Sequence, residues 1–252
     1  MTTFRYGIIG KNWGSKIFRI LYSMGKKVVY LNINSPKNYK NVNKYKNDAS
    51  KIIKNSCKSF DIIWIAVPHY EKFFLVNECV KNNLNVIVEK PWLNTLNKTK
   101  KIISLQNRKK LQVGVHFEFL YLKNLLNSQI KSFNKKEFFF TGIFNVMKNK
   151  YPKISPYYEL GSHLMAIKLF YLNKTQIKKI ECSYKKKTLR KIEIKGKKNI
   201  SINFTNSKEK IIQKYVLDYE SKLKNKNSYN IDLKFACNVY KEIKYLLDKK
   251  YV

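Results

Sequence analysis

Arginine, acid and clustered cysteine are all scarce in this sequence. Of 52 basic residues only Arg5, Arg19, Arg108 and Arg190 are arginines, and they stand with 48 lysines against 16 acidic residues, for a formal net charge of +36. Nucleic-acid sites favour the bidentate fork of arginine and gather their charge on one face. Here the lysines run the whole length of the chain among asparagines, as in Asn38-Tyr39-Lys40-Asn41 and from Lys222 to Asn227. That is a compositional bias and not a binding footprint, so no nucleic-acid partner is expected. An anionic, phosphate-bearing substrate would still be drawn to such a chain. The four cysteines (Cys57, Cys79, Cys182, Cys237) stand apart from one another, which argues against a disulfide framework and a zinc site and suggests a reducing compartment. No apolar run approaches the roughly 18 residues a bilayer span needs, and the start of the chain lacks the apolar core of a signal peptide. We therefore expect a cytoplasmic protein with no membrane partner and no bound metal.

What the chain does have is 252 residues with 44% hydrophobic content, enough for one large α/β domain or two smaller ones. Up to residue 118, short β-type runs alternate with helix-length segments, the mark of βαβ units and a parallel sheet. Strands are expected at 4–9, 28–33, 61–67, 85–88 and 112–117. Helices are expected at 15–24, 70–82 and 94–107, the last begun by Asn94, with a weaker one at 48–56 after a polar loop. From 119 to 252 the pattern changes. It predicts a helix at 120–130, a strand at 137–146, a helix at 156–172, strand-like stretches at 177–194, 200–204 and 210–217, and a final helix near 233–247. The expected architecture is thus an N-terminal Rossmann-type parallel sheet (1–118) followed by an α+β domain on a mixed or antiparallel sheet (119–252).

Three places carry chemistry. The turn Gly10-Lys11-Asn12-Trp13-Gly14 joins the first strand to the first helix, where a dinucleotide pyrophosphate would meet free backbone N–H groups. It departs from G-x-G-x-x-G, with Asn12 at the second glycine position, and such a turn also needs glycine for geometry alone. The acidic residue expected about 20 positions on, to bond the adenosine ribose, is absent: the second strand ends Asn32-Ile33-Asn34-Ser35-Pro36-Lys37. An amide, a hydroxyl and a lysine suit a 2'-phosphate better than an aspartate does, which favours NADP over NAD. An ordinary exposed turn reads the same way. The second place is Val67-Pro68, followed by a helix and then Glu89-Lys90-Pro91 at the end of an apolar strand. The third is Glu159-Leu160-Gly161-Ser162-His163, where the four-residue spacing puts Glu159 and His163 on one helical face. A histidine buried against Leu164, Met165 and Ile167 is the plainer account of His163.

In order and spacing these segments resemble the Gfo/Idh/MocA oxidoreductases, with the likeness covering about residues 4 to 172 in a chain shorter than is usual for that family. The resemblance implies hydride transfer between NAD(P) and a sugar, polyol or sugar derivative. It makes Lys90 the group that binds the reacting hydroxyl, His163 the acid and base, and Glu159 an assistant standing where the family usually has aspartate. Gly10, Asn12, Trp13, Gly14, Asn32, Val67, Pro68, His69, Glu89, Lys90 and His116 then form the cofactor side. His69 reads equally as the end of a strand, and an aromatic residue placed like Trp13 is more often structural. The same resemblance implies a carbohydrate-like small-molecule substrate and a homo-oligomer formed through the second sheet. Two alternatives stay open: a relative that has lost catalysis and serves as a cofactor-binding or assembly partner, and an imine reductase.

Overall fold

The structure, a computed structural model, describes residues 3–121, 139–147, 154–172, 175–184, 188–195, 199–203 and 208–249. It divides into two compact units, Met1–His116 with Gln213–Cys237, and Phe117–Ile212 with Asn238–Val252.

The first unit is built on five parallel strands: β1 (Arg5–Ile9), β2 (Lys27–Tyr30), β3 (Ile62–Ile65), β4 (Asn85–Glu89) and β5 (Val113–His116). They lie in the order β2-β1-β3-β4-β5. β3 and β5 are buried at every position, which is why they read as continuous apolar runs and not as alternating ones. Between the strands run α1 (Asn12–Ser23), α2 (Val42–Ser56), α3 (His69–Lys81) and α4 (Leu96–Arg108). α2 begins six residues before the expected weak helix because the Asn41 side chain caps it, accepting from the Asn43 N–H at 2.7 Å. α4 is capped by Thr95, which accepts from Lys98 N–H, and not by Asn94. β1 connects outward to β2 on one side and to β3 on the other, so the order reverses between β1 and β3. The carboxyl ends of those two strands are therefore where an open sheet of this kind takes a ligand.

Residues 213–237 belong to this first unit, a return that the division at residue 118 did not anticipate. Aromatic side chains account for it. Tyr219 donates to the carbonyls of Val86 (3.1 Å) and Gln112 (2.7 Å), and Tyr6 donates to Glu220 at 2.8 Å. Tyr215, Tyr219 and Tyr229 press on Gly114, where a Cβ would lie 2.8 to 2.9 Å from the Tyr215 hydroxyl and the rings of Tyr219 and Tyr229. The stretch expected as a strand at 210–217 is instead part of a helix, Lys208–Lys224. Its buried residues, Ile211, Ile212, Tyr215, Val216 and Tyr219, recur at helical spacing. The β-branched and aromatic composition of Ile-Ile-Gln-Lys-Tyr-Val had suggested β structure.

The second unit holds a four-stranded mixed sheet of β6 (Phe139–Asn145), β7 (Gln176–Ser183), β8 (Leu189–Lys195) and β9 (Ile200–Asn203), ordered β7-β6-β8-β9. β6 pairs with β7 in parallel and with β8 antiparallel. The single stretch expected over 177–194 is thus two strands. The expected helix at 156–172 is two pieces, Pro156–Glu159 and Gly161–Tyr171, meeting at Leu160. Leu164 packs against Gly142 of β6, so the longer helix lies on the sheet. The helix expected at 120–130 falls almost wholly outside the described residues, of which Glu118–Tyr121 form a 3-10 turn. The Leu233–Asp248 helix matches its expectation. Among the described residues no helix is long and apolar enough to cross a membrane.

Candidate cofactor site and catalytic residues

The first strand ends at Gly10, whose φ of +111° no side chain tolerates well, and a Cβ there would collide with the carbonyl of Ala66. The chain comes this close because Ala66 N–H bonds to Ile9 C=O at 2.8 Å, tying the exit of β1 to the exit of β3. Behind Gly10 the chain enters α1 at once, leaving the first backbone N–H groups of that helix without partners inside it. Beside this turn lies a pocket of about 260 Å³ lined by Gly10, Lys11, Ser15, Tyr30, Leu31, Asn32 and Ile33. No acidic residue lines it, and Lys11 brings a positive charge to it. Trp13, in the first turn of α1, has a buried indole N–H with no hydrogen-bond partner among the described residues. A glycine turn that excludes a Cβ, a helix N-terminus, a pocket and an unused buried donor together fit a dinucleotide.

Gly10 and Asn32 of the expected cofactor residues line this pocket. Asn12 opens α1 and is exposed, while Gly14 is buried in its first turn. Val67 is half-buried, Pro68 caps α3, and His69 is its first residue. Burial, and then the charge of Lys72, hold the His69 imidazole below its ordinary pKa. Lys11, Ser15, Tyr30, Leu31 and Ile33 were not singled out in the sequence. Their signal is position: each lies within five residues of Gly10 or Asn32, at the carboxyl end of β1 or β2 or, for Ser15, in the first turn of α1.

At the end of β4, Glu89-Lys90-Pro91 is held from beneath. Lys72, 3% exposed, donates its ammonium to the carbonyls of Glu89 (2.6 Å), Lys90 (2.9 Å) and Pro91 (3.2 Å). The Glu89 carboxylate accepts the Trp64 indole N–H at 2.9 Å and lies 2.8 Å from His116 Nδ1, across the β4–β5 pair. With Glu89 ionised, Nδ1 must carry the proton it donates. Burial alone would raise the Glu89 carboxyl, but His116, the Trp64 bond and the Lys72 charge outweigh it and hold the group below the usual carboxylate range. Glu89 and His116 were expected on the cofactor side. The structure makes them a buried pair 8% and 1% exposed, with the His116 ring packed edge-on against Trp64 and Tyr215. Lys90 is half-buried at the end of the segment they support.

Lys72 was not recognised in the sequence, although a signal existed. It occupies the apolar stripe of α3 with Leu75, Val76, Cys79 and Val80, where a lysine needs a reason.

Glu159 and His163 lie in the second unit. Glu159 ends the short Pro156–Glu159 helix, and its carboxylate accepts the Tyr184 hydroxyl at 2.7 Å. Burial, then that carboxylate, pushes the Tyr184 phenol well up. His163, in the first turn of the next helix, is buried, its ring edge-on to Phe119 (4.7 Å) and stacked on Phe144 (5.4 Å). Because the helix is interrupted at Leu160, the two residues do not share one continuous helix. None of the four cysteines is in a disulfide, and among the described residues no group of three or more His, Cys, Asp or Glu could hold a metal.

Residues 4–117 match the Gfo/Idh/MocA profile, described as an oxidoreductase family with an NAD-binding Rossmann fold. Over this segment the chain is similar to the Gfo/Idh/MocA oxidoreductases. Solved structures extend the likeness in fold over the second unit as well. The UDP-N-acetylglucosamine 3-dehydrogenase of Acidithiobacillus ferrooxidans superposes with a TM-score of 0.77 at 11% identity, covering 97% of each chain. The WlbA dehydrogenase of Thermus thermophilus, in complex with NAD and α-ketoglutarate, gives 0.71 at 12%, covering 94% of this chain and 93% of that one. The biliverdin reductase of Synechocystis, with biliverdin and NADP+, gives 0.69 at 13%, covering 98% and 99%. Among curated proteins there is no match.

Proposed function

We propose that the chain is an NAD(P)-dependent dehydrogenase or reductase acting at a hydroxyl or carbonyl carbon of a sugar, polyol or sugar derivative. The observation that carries this reading is that the Gly10 turn with its pocket and Lys90 both lie at the carboxyl ends of strands of the one parallel sheet, β1 and β4. When bound, NAD(P) supplies or accepts the hydride. The N–H groups at the start of α1 and the Trp13 indole hold its pyrophosphate side, Asn32 meets the adenosine ribose, and Val67, Pro68 and His69 border it. The absence of acid from the pocket and the presence of Lys11 favour the 2'-phosphate of NADP.

The Lys90 ammonium binds and polarises the reacting oxygen. His163 takes the hydroxyl proton during oxidation and returns it during reduction, and Glu159, held by the Tyr184 hydroxyl, assists. The Acidithiobacillus neighbour, named for a sugar-nucleotide substrate, supports the carbohydrate class. Four cysteines outside any disulfide suit a cytoplasmic enzyme, and the second sheet is the surface through which copies would assemble.

The test is a titration of the full-length protein with NADPH and with NADH, read by fluorescence transfer from tryptophan and by thermal shift. Binding is expected, with Lys90→Ala and His163→Ala each lowering turnover by orders of magnitude while leaving the cofactor response in place. No response to either cofactor at millimolar concentration defeats the proposal.

A further inference from the structure

Arg190 is unlike the other three arginines of the chain. Arg5 pairs with Asp61, and Arg19 and Arg108 are exposed, but Arg190 is 8% exposed. It lies on β8 directly opposite Phe144 of β6, and the strand's alternation puts it on the same buried face as Ile192 and Ile194. A residue in that register packs best when it is apolar. Its guanidinium instead sits over the rings of Phe144 (5.4 Å) and Phe119 (5.9 Å), the same two rings that seat His163.

Those rings satisfy the flat faces of a guanidinium and leave its N–H edge unused. Among the described residues its buried Nε has no hydrogen-bond partner and no carboxylate lies within 4 Å of the group. Glu118 acts on it only as a more distant charge, partly offsetting the burial that disfavours the cation. A guanidinium offers its donors in a planar fork, and one whose Nε–H is buried and unpaired is matched by the two oxygens of a carboxylate or phosphate.

We propose that Arg190 is the anchor for an oxyanion on the substrate, a carboxylate or a phosphate, bound in the second unit beside His163. The proposal rests on the reading of His163 as the acid and base, and it narrows the substrate from a neutral polyol to an acidic or phosphorylated sugar.

The experiment measures binding of D-glucuronate, glucose 6-phosphate and glucose to the full-length protein by calorimetry, with saturating NADPH and 150 mM salt. Wild type, Arg190→Met and Arg190→Lys are compared. One of the two anions is expected to bind at least about 10-fold more tightly than glucose, as a charge-assisted bidentate pair should. Which one does so tells carboxylate from phosphate. Arg190→Met should bring that anion to parity with glucose while keeping or raising the melting temperature, since an apolar chain replaces a buried cation. Arg190→Lys should keep part of the preference.

Equal binding of anions and glucose by wild type overturns the proposal, as does a preference that survives in Arg190→Met. A melting temperature lowered by several degrees in Arg190→Met also overturns it, because it would mark Arg190 as a structural cation. An Arg190-dependent preference without hydride transfer at 340 nm leaves the anchor standing and removes the dehydrogenase reading. Turnover of glucose alone, with no anion preference, does the reverse.

Discussion

Replacing Lys72 by methionine tests the support of the Glu89-Lys90-Pro91 segment directly. The side chain keeps its length and most of its volume, so packing along the apolar stripe of α3 is largely preserved and the ammonium is what is lost. Three carbonyl bonds go with it, at 2.6, 2.9 and 3.2 Å. Bonds to a charged group contribute about 1.5–3 kcal/mol each in favourable cases, and the longest of the three counts for least. Against that loss stands the recovered cost of burying an ammonium, about several kcal/mol. Removing one partner from a buried charged network leaves its other members exposed to the penalty, here three carbonyls and the Glu89 carboxylate. The net destabilisation should therefore be roughly 2–4 kcal/mol. For a chain of this size that is a fall in melting temperature of roughly 5–15 °C. Urea titration followed by tryptophan emission is the appropriate assay, because Trp64 donates to Glu89 and Trp92 follows the segment. A Lys72→Met protein within about 0.5 kcal/mol of wild type would refute the reasoning, showing that the ammonium does no more than a methyl thioether in that position.

Three further outcomes are expected. Gly10→Ala should lose about 3 kcal/mol or more, since it combines a positive φ with a Cβ driven into the Ala66 carbonyl, and urea titration would register it. Asn32→Asp should weaken NADPH and strengthen NADH, each by about 10-fold, as a carboxylate repels a 2'-phosphate and accepts from a free ribose hydroxyl; unchanged cofactor ratios would remove Asn32 from the ribose site. The Glu89 carboxyl lies below its ordinary value of 4.5 in the folded state, so its contribution to stability is complete above that pH and is lost as pH falls through the folded value. Glu89→Gln should accordingly flatten, though not abolish, the acid limb of a stability–pH profile, because Asp61 is lowered in the same sense by its bonds from Arg5.

The first sheet was legible because a parallel strand buried on both faces announces itself: Ile62-Ile63-Trp64-Ile65 has no other use in a short run closed by proline. Gly10 was legible for a related reason, a turn geometry that few residues satisfy. Three features were less so. The Lys208–Lys224 helix was hidden by residues that favour strands locally but recur at helical spacing, a case where period outranks composition. The return of residues 213–237 depends on tyrosines meeting Gly114 about 100 positions earlier, and no local pattern encodes a contact of that range. The break at Leu160 separates Glu159 from His163 although the sequence spacing put both on one face.

The lysine excess obscured the site more than any of these. In a chain of composition this biased, one more lysine or arginine carries little information by its identity, and Lys72 and Arg190 passed as members of a crowd. What distinguishes them is register. Lys72 falls in the buried stripe of α3, and Arg190 falls on the buried face of β8, each where its neighbours in phase are apolar. A solvated cation can stand anywhere on a surface, and a lysine-rich composition will put it there. A cation in an apolar register carries a desolvation penalty at every generation unless something offsets it. For Lys72 the offset is visible, in three carbonyls and a carboxylate. For Arg190 the described residues supply two ring faces and a distant Glu118, leaving its hydrogen-bonding edge for a ligand.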